Sequence, residues 1–302
     1  MANQKEIRVK ISSTKKTMKI TSAMKLVAAA KVNKMQKRLV AARPYAQKIN
    51  ELFANLKNSL SADELQANPL LNAKSNPKNI LLVIVSSDRG LCGAYNANII
   101  KAATKRIKEL KAEGKNVQLL TIGRKAKTAF SKIAFTLDGV NIVKSFVNLN
   151  SIPTNLEANL ISEEAKELFL SGKVDKVEMI CTRFLSLVSN FIETIDFLPC
   201  TFTEEASKES APNADDSGVI LEPDPQTLID AVVPMYIENR VYQALMESTT
   251  SELAARMTAM SNATTNAKDF IRRLLLKYNK ARQASITQEI SEIVGGAAAL
   301  VG

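Results

Sequence analysis

The sequence predicts an α/β protein in which a helix-covered parallel sheet lies between two long terminal helices that pair with each other. Three observations carry this. Apolar and small residues recur at alternating three- and four-residue steps through both ends of the chain. Strand-like and helix-like stretches alternate through the middle, and basic charge is concentrated in the first fifty residues.

Residues 3–60 hold one proline, Pro44, and no glycine. Their repeat runs Ile11, Thr14, Met18, Thr21, then Ala28, Val32, Met35, Leu39, Ala42, Ala46, Ile49, Phe53 and Leu56, with Lys25 as the misfit. A stripe of this period predicts one long helix packed along a single seam. Residues 61–78 follow as a connector, punctuated by Pro69 and Pro77. Strands are then expected at 79–87, 117–122 and 141–146, and helices at 95–113, 124–134 and 155–171. That alternation signals a parallel sheet covered by helices. Residues 175–184 and 190–202 read as a further strand pair at an antiparallel edge. Residues 204–218 are polar and acidic, a surface loop.

A second ladder fills the C-terminal part: Met246, Thr250, Leu253, Met257, Met260, Thr264, Ala267, Ile271, Leu274, Tyr278, Ala281, Ser285. A helix from about 226 to 290 would be on the order of 95 Å long, more than a globular domain is wide. The economical arrangement is an antiparallel coiled coil of the two terminal helices, left-handed because the seam period is near 3.5. The predicted fold is thus a central Rossmann-like α/β domain flanked by these helices. Its parts are the first coiled-coil helix (1–60), the connector (61–78), the α/β domain (79–203), a variable loop (204–224) and the last coiled-coil helix (225–302).

Composition narrows the chemistry. The chain has no histidine, so the commonest general base and metal ligand is missing. Cys92, Cys181 and Cys200 are odd in number and unclustered, which suits free thiols in a reducing compartment and makes no zinc site. No run of residues is apolar enough to span a bilayer, and the start lacks the apolar core of a secretory signal. Residues 1–50 hold thirteen Lys or Arg against Glu6 alone, a charge of +12, while the whole chain carries +11. The basicity therefore belongs to the first helix, whose partner should be acidic.

The stretch Ser86-Ser87-Asp88-Arg89-Gly90-Leu91-Cys92-Gly93 follows an apolar strand and opens a helix, as phosphate-binding loops do. It lacks both GxGxxG spacing and the Lys-Ser or Lys-Thr of a P-loop, so a structured turn is the better reading. Gly123-Arg124-Lys125 after the second strand is equally generic. The C-terminal stretch after Glu292 has no charged side chain, which fits a tail docked in an apolar socket.

Several of these segments resemble the gamma subunit family of the F-type ATP synthase. Ile286-Thr287, Glu289, Glu292 and Gly296-Ala297 match its C-terminal signature. The first helix, with Arg43-Pro44-Tyr45-Ala46, the loop Ser86–Asn96 and Glu222-Pro223-Asp224-Pro225 match three further motifs in order. The resemblance implies a rotor with no catalytic site, cofactor or metal of its own. Its coiled coil would enter a ring of alpha and beta subunits, which Met24, Lys25, Arg282, Gln283, Thr287, Ala297 and Leu300 would contact. Its α/β domain would bind the epsilon subunit and rest on the c-ring through Arg89, Leu91 and Cys92. The implied location is peripheral, at the cytoplasmic face of a bacterial inner membrane. With no inserted dithiol segment around Cys181 and Cys200, redox regulation is not expected. Two rival readings stand beside this one: a basic coiled coil that binds nucleic acid, and a nucleotide-binding enzyme built on the middle domain.

Overall fold

In the computed structural model, residues 4–59, 68–136, 139–187, 189–200 and 224–301 are described. The elements in chain order are α1 (Gln4–Ser59), β1 (Asn79–Val85), α2 (Tyr95–Ala112), β2 (Asn116–Ile122), α3 (Arg124–Thr136), β3 (Val140–Phe146), α4 (Asn155–Leu170), β4 (Lys176–Phe184), β5 (Asn190–Leu198) and α5 (Pro225–Val301). The chain divides into two compact units, one formed by residues 31–255 and the other by 1–30 with 256–302. Both long helices contribute to both units. The expected loop at 204–218 and part of the connector lie outside the described residues.

In the larger unit, five strands form one sheet in the order β3-β2-β1-β4-β5. The first three pairings are parallel, and β5 runs antiparallel to β4. The apolar run of β1 is continuous because both its faces are covered. Ile80, Leu82 and Ile84 face α2 and α3, joining Ile99, Ile107 and Phe130. Leu81, Val83 and Val85 face the opposite layer with Ile161 and Phe169 of α4 and Val233 and Ile237 of α5. There α1 closes the layer, with Phe53 stacked on Tyr236 at 4.2 Å between ring centroids.

Two strands end sooner than the pattern suggests. After Val85 the Ser87 N–H is taken by the Asn96 side chain at 3.1 Å, so it is lost to the ladder. After Leu198 comes Pro199, which has no N–H to give, and the Cys200 N–H turns to the Leu70 carbonyl. Helix starts follow capping chemistry. Thr154 and Glu157 form a capping box on α4. Asp224 accepts from the Thr227 N–H at 2.9 Å, and Pro225 then stands at the first helical position, where its missing N–H costs nothing.

Also in the larger unit, Val32, Met35 and Leu39 of α1 pack on Met246, Leu253, Ala254 and Tyr242 of α5. In the smaller unit, Ile7, Ile11 and Met18 meet Ile271, Leu274, Tyr278 and Ala281. Gln4 donates to the Ala281 carbonyl at 3.2 Å, and the Thr21 and Thr264 hydroxyls meet at 2.9 Å. Rising numbers in α1 thus face falling numbers in α5, so the pair is antiparallel. The misfit at Lys25 has a simple resolution. Lys25 is exposed, while Met24 is half-buried in its stead, one residue of drift between two stretches of seam.

Candidate partner-binding surfaces

The loop after β1 uses its polar groups on itself. Ser86 Oγ donates to the Ile122 carbonyl and accepts from the Ala126 N–H, both at 2.9 Å. Asp88 accepts from the Arg124 N–H at 2.9 Å, and the Lys125 N–H goes to the Ser87 carbonyl. The β2 loop can come this close because residue 123 is glycine. Its φ is +90°, and a Cβ there would lie 2.5 Å from the Ser86 carbonyl oxygen. The N–H groups of Ser87, Arg124, Lys125 and Ala126 are therefore already taken within the two loops.

The crevice itself is filled. In open α/β sheets, ligands bind beyond the carboxyl ends of the strands where the order reverses, here between β1 and β4. Helix α5 occupies that position. Tyr95, at the start of α2, donates its hydroxyl to the Ser248 carbonyl at 3.1 Å, and the Thr182 N–H donates to Ser248 Oγ at 3.1 Å. Burial pushes the Tyr95 phenol far above its ordinary range, so it remains a donor.

What the loop offers outward is Arg89 and Leu91. Leu91 is 65% exposed and sits at φ +63°, a left-handed conformation that a bulky residue adopts at some cost. Cys92 is placed differently from a surface contact. It is 2% exposed and packs among Tyr95, Ile99 and Ala126, so its side chain belongs to the core. Burial pushes the thiols of Cys181 and Cys200 up to about 12. Among the described residues no group of three or more His, Cys, Asp or Glu could hold a metal, and no helix is long and apolar enough to cross a membrane.

The smaller unit presents two surfaces. On α1, Arg8, Lys10, Lys15, Lys16, Lys19 and Lys25 are exposed and form no ion pair among the described residues. Ile20, Leu26 and Val27 lie exposed among them. On α5, Arg282, Gln283 and Thr287 are exposed, and the Thr287 hydroxyl bonds back to the Gln283 carbonyl at 2.9 Å. Ala297 is exposed, and the Leu300 side chain lies outside the described residues. The exposed apolar residues Ile286, Ile290, Ile293 and Val294 were missed by following the seam alone, since they form a stripe one residue off it. The legible signal was apolar residues on the polar side of a well-patterned helix.

A sheet-bearing domain with both termini drawn out into paired helices, its ligand crevice filled by its own chain, is a mechanical or scaffolding architecture. The family model "ATP synthase" matches residues 3–300. The ATP synthase gamma chain of Synechococcus sp. (strain JA-3-3Ab) is 45% identical over 322 residues, covering 99% of this chain and all of that one. The gamma chain of Nostoc punctiforme is 43% identical with the same coverage. Among solved structures, the central stalk and c-ring of Tetrahymena thermophila mitochondrial ATP synthase gives a TM-score of 0.58 at 27% identity, covering 81% of this chain and 99% of that one. The Euglena gracilis mitochondrial enzyme, at 21% identity, shares the fold, with a TM-score of 0.67 over 98% of this chain and 94% of that one. The chain belongs to the ATP synthase gamma chain family, the rotor subunits of the central stalk. The nucleic-acid reading finds no support among these relatives.

Proposed function

We propose that this chain is the torque-bearing shaft of an F-type ATP synthase and has no catalytic site of its own. It couples the turning of a proton-driven c-ring to nucleotide affinity changes in the beta subunits. The observation that carries this is the smaller unit. Two helices are zipped by a seam of small and apolar side chains, with exposed cations along α1 and an exposed apolar stripe toward the end of α5. Exposed cations suit contacts that must be remade at successive angles, because charge attraction demands no fixed interdigitation. The acidic counterpart is a surface of the alpha and beta ring, met by Met24, Lys25, Arg282, Gln283 and Thr287. The stripe that runs on to Ala297 turns in an apolar collar, which Leu300 also contacts. The strained, exposed Leu91 and its neighbour Arg89 face the epsilon subunit and c-ring, at the cytoplasmic face of a bacterial inner membrane.

The test is reconstitution with alpha and beta subunits. ATP hydrolysis by the ring should depend on this chain, and a ring indifferent to it would overturn the reading. Removing residues 296–302 should lower assembly more than it lowers turnover in the complexes that do form. Hydrolysis by the purified chain alone would favour the enzyme reading instead.

A further inference from the structure

We propose that the open edge of β5, with the basic groove beside it, receives an extended segment of a partner chain in which acidic and apolar side chains alternate. The inference rests on the stalk reading for one thing, that this chain works bound to others.

Strand β5 hydrogen-bonds to β4 on one side and ends the sheet on the other. The Asp196 carbonyl points away from β4 and accepts from Arg240 at 3.2 Å. In an antiparallel ladder alternate residues face the same side, so Thr194, Ile192 and Asn190 turn their N–H and C=O groups to the same open edge. Arg240 covers only the end of this row. Among the described residues the rest of the row has no partner, and such a row is a template for another strand.

The side chains beside that edge define what the strand must carry. A groove of about 490 Å³ lies between α2 and β5, walled by Lys101, Ala102 and Lys105 and floored by Ile192 and Thr182, with Asn190 at its rim. Lys101 makes no ion pair, and Lys105 makes only a loose one with Glu109 at 3.7 Å, its side chain 80% exposed. Such a pair holds its lysine weakly. The Thr182 hydroxyl is buried beneath the groove floor, beside the Tyr95 phenol. A carboxylate entering this face would meet the two ammonium groups of Lys101 and Lys105. On the opposite face of β5, Phe191 is 42% exposed and asks for an apolar neighbour. Side chains of an added strand alternate between these faces, which gives the acidic–apolar period of two. A second copy of this chain fits poorly, since pairing β5 with itself would bring two lysine rims together.

The test uses the full chain and a short synthetic peptide alternating glutamate with valine, with a lysine–valine peptide as control. Amide hydrogen exchange should slow at Ile192 and Thr194 with the glutamate peptide alone. Lys101→Glu with Lys105→Glu should weaken binding about tenfold or more, and added salt should weaken it in the parent chain. Thr194→Pro, which removes an outward N–H that an edge strand can spare, should abolish the protection. Protection by both peptides, none by either, or protection that survives the lysine reversals overturns the proposal. So does displacement of the peptide by inorganic phosphate without loss of edge protection, or self-association of the chain through this edge. None of these outcomes alters whether ring hydrolysis depends on the chain, so the two readings fail separately.

Discussion

Tyr95 and Ser248, from the first helix of the sheet domain and the last helix of the chain, meet at 3.1 Å over the end of the sheet. The bond joins a buried phenol to a helix carbonyl that already has its own helical donor. Tyr95→Phe keeps the ring in place and loses one hydrogen bond, which costs about 1 kcal/mol. Tyr95→Ala empties the site and costs about 3–5 kcal/mol, as for other buried aromatics. Denaturant midpoints of the two variants should fall in that order.

Gly123 is held both by its φ and by the closeness of Ser86. Gly114 has φ +73° with open space around it, so alanine there meets the backbone strain alone. Gly123→Ala adds a collision with the Ser86 carbonyl and should destabilise clearly more than Gly114→Ala, by more than about 1 kcal/mol in total. Thermal unfolding of the pair of variants decides this.

Arg106 and Glu178 form a two-pronged ion pair, with contacts of 2.7 and 2.8 Å, on the α2 face of the sheet. Burial alone would raise the Glu178 carboxyl, but Arg106 and Lys176 outweigh it and hold it below the ordinary range. A depressed carboxyl stabilises the fold above its unfolded pKa, and that stability is lost as pH falls through the folded value. Arg106→Leu leaves Glu178 with Lys176 as its one cation and should cost about 1–3 kcal/mol at pH 7. The deficit should shrink toward pH 4, where protonation relieves the variant while the parent loses its advantage. A deficit independent of pH would show that packing, and not charge, dominates.

The stripe Ile286, Ile290 and Ile293 contributes little to the isolated fold. Replacing all three with serine should leave the unfolding midpoint within about 0.5 kcal/mol per site. The same variant should assemble poorly with the alpha and beta ring, as read by size-exclusion chromatography. Normal assembly would remove the stripe from the interface.

All three cysteines are buried. With Cys181 and Cys200 pushed up to about 12, thiolate is scarce at pH 8. Labelling by a thiol-specific reagent should be slow in the folded chain and fast in denaturant.

Most of the fold could be read from the residues because their periods are clean. Ile80 to Val85 is a short, wholly apolar run bounded by turn residues, which reads as a doubly covered strand, and the seams from Ile11 to Leu56 and from Met246 to Ser285 keep one spacing except for the one-residue drift at Lys25. The surfaces were legible only in part. Arg89 and Leu91 are exposed while Cys92 turns inward, a difference the sequence did not show, since a loop has no period from which to tell the side a residue takes. The groove beside β5 was illegible for another reason. Lys101, Thr182 and Ile192 come from three elements, and only the sheet order brings them together. The role of Ser248 was hidden likewise, as a serine within a helix gives no sign that it will clasp a strand end 66 residues away.

The helix across the end of the sheet has a further consequence. A domain of this type ordinarily changes shape when a dissociable ligand arrives or leaves, and so answers to concentration. Here the occupant is tethered by the peptide chain itself and never departs. The crevice therefore stays closed to a dissociable ligand for as long as Tyr95 and Thr182 hold Ser248.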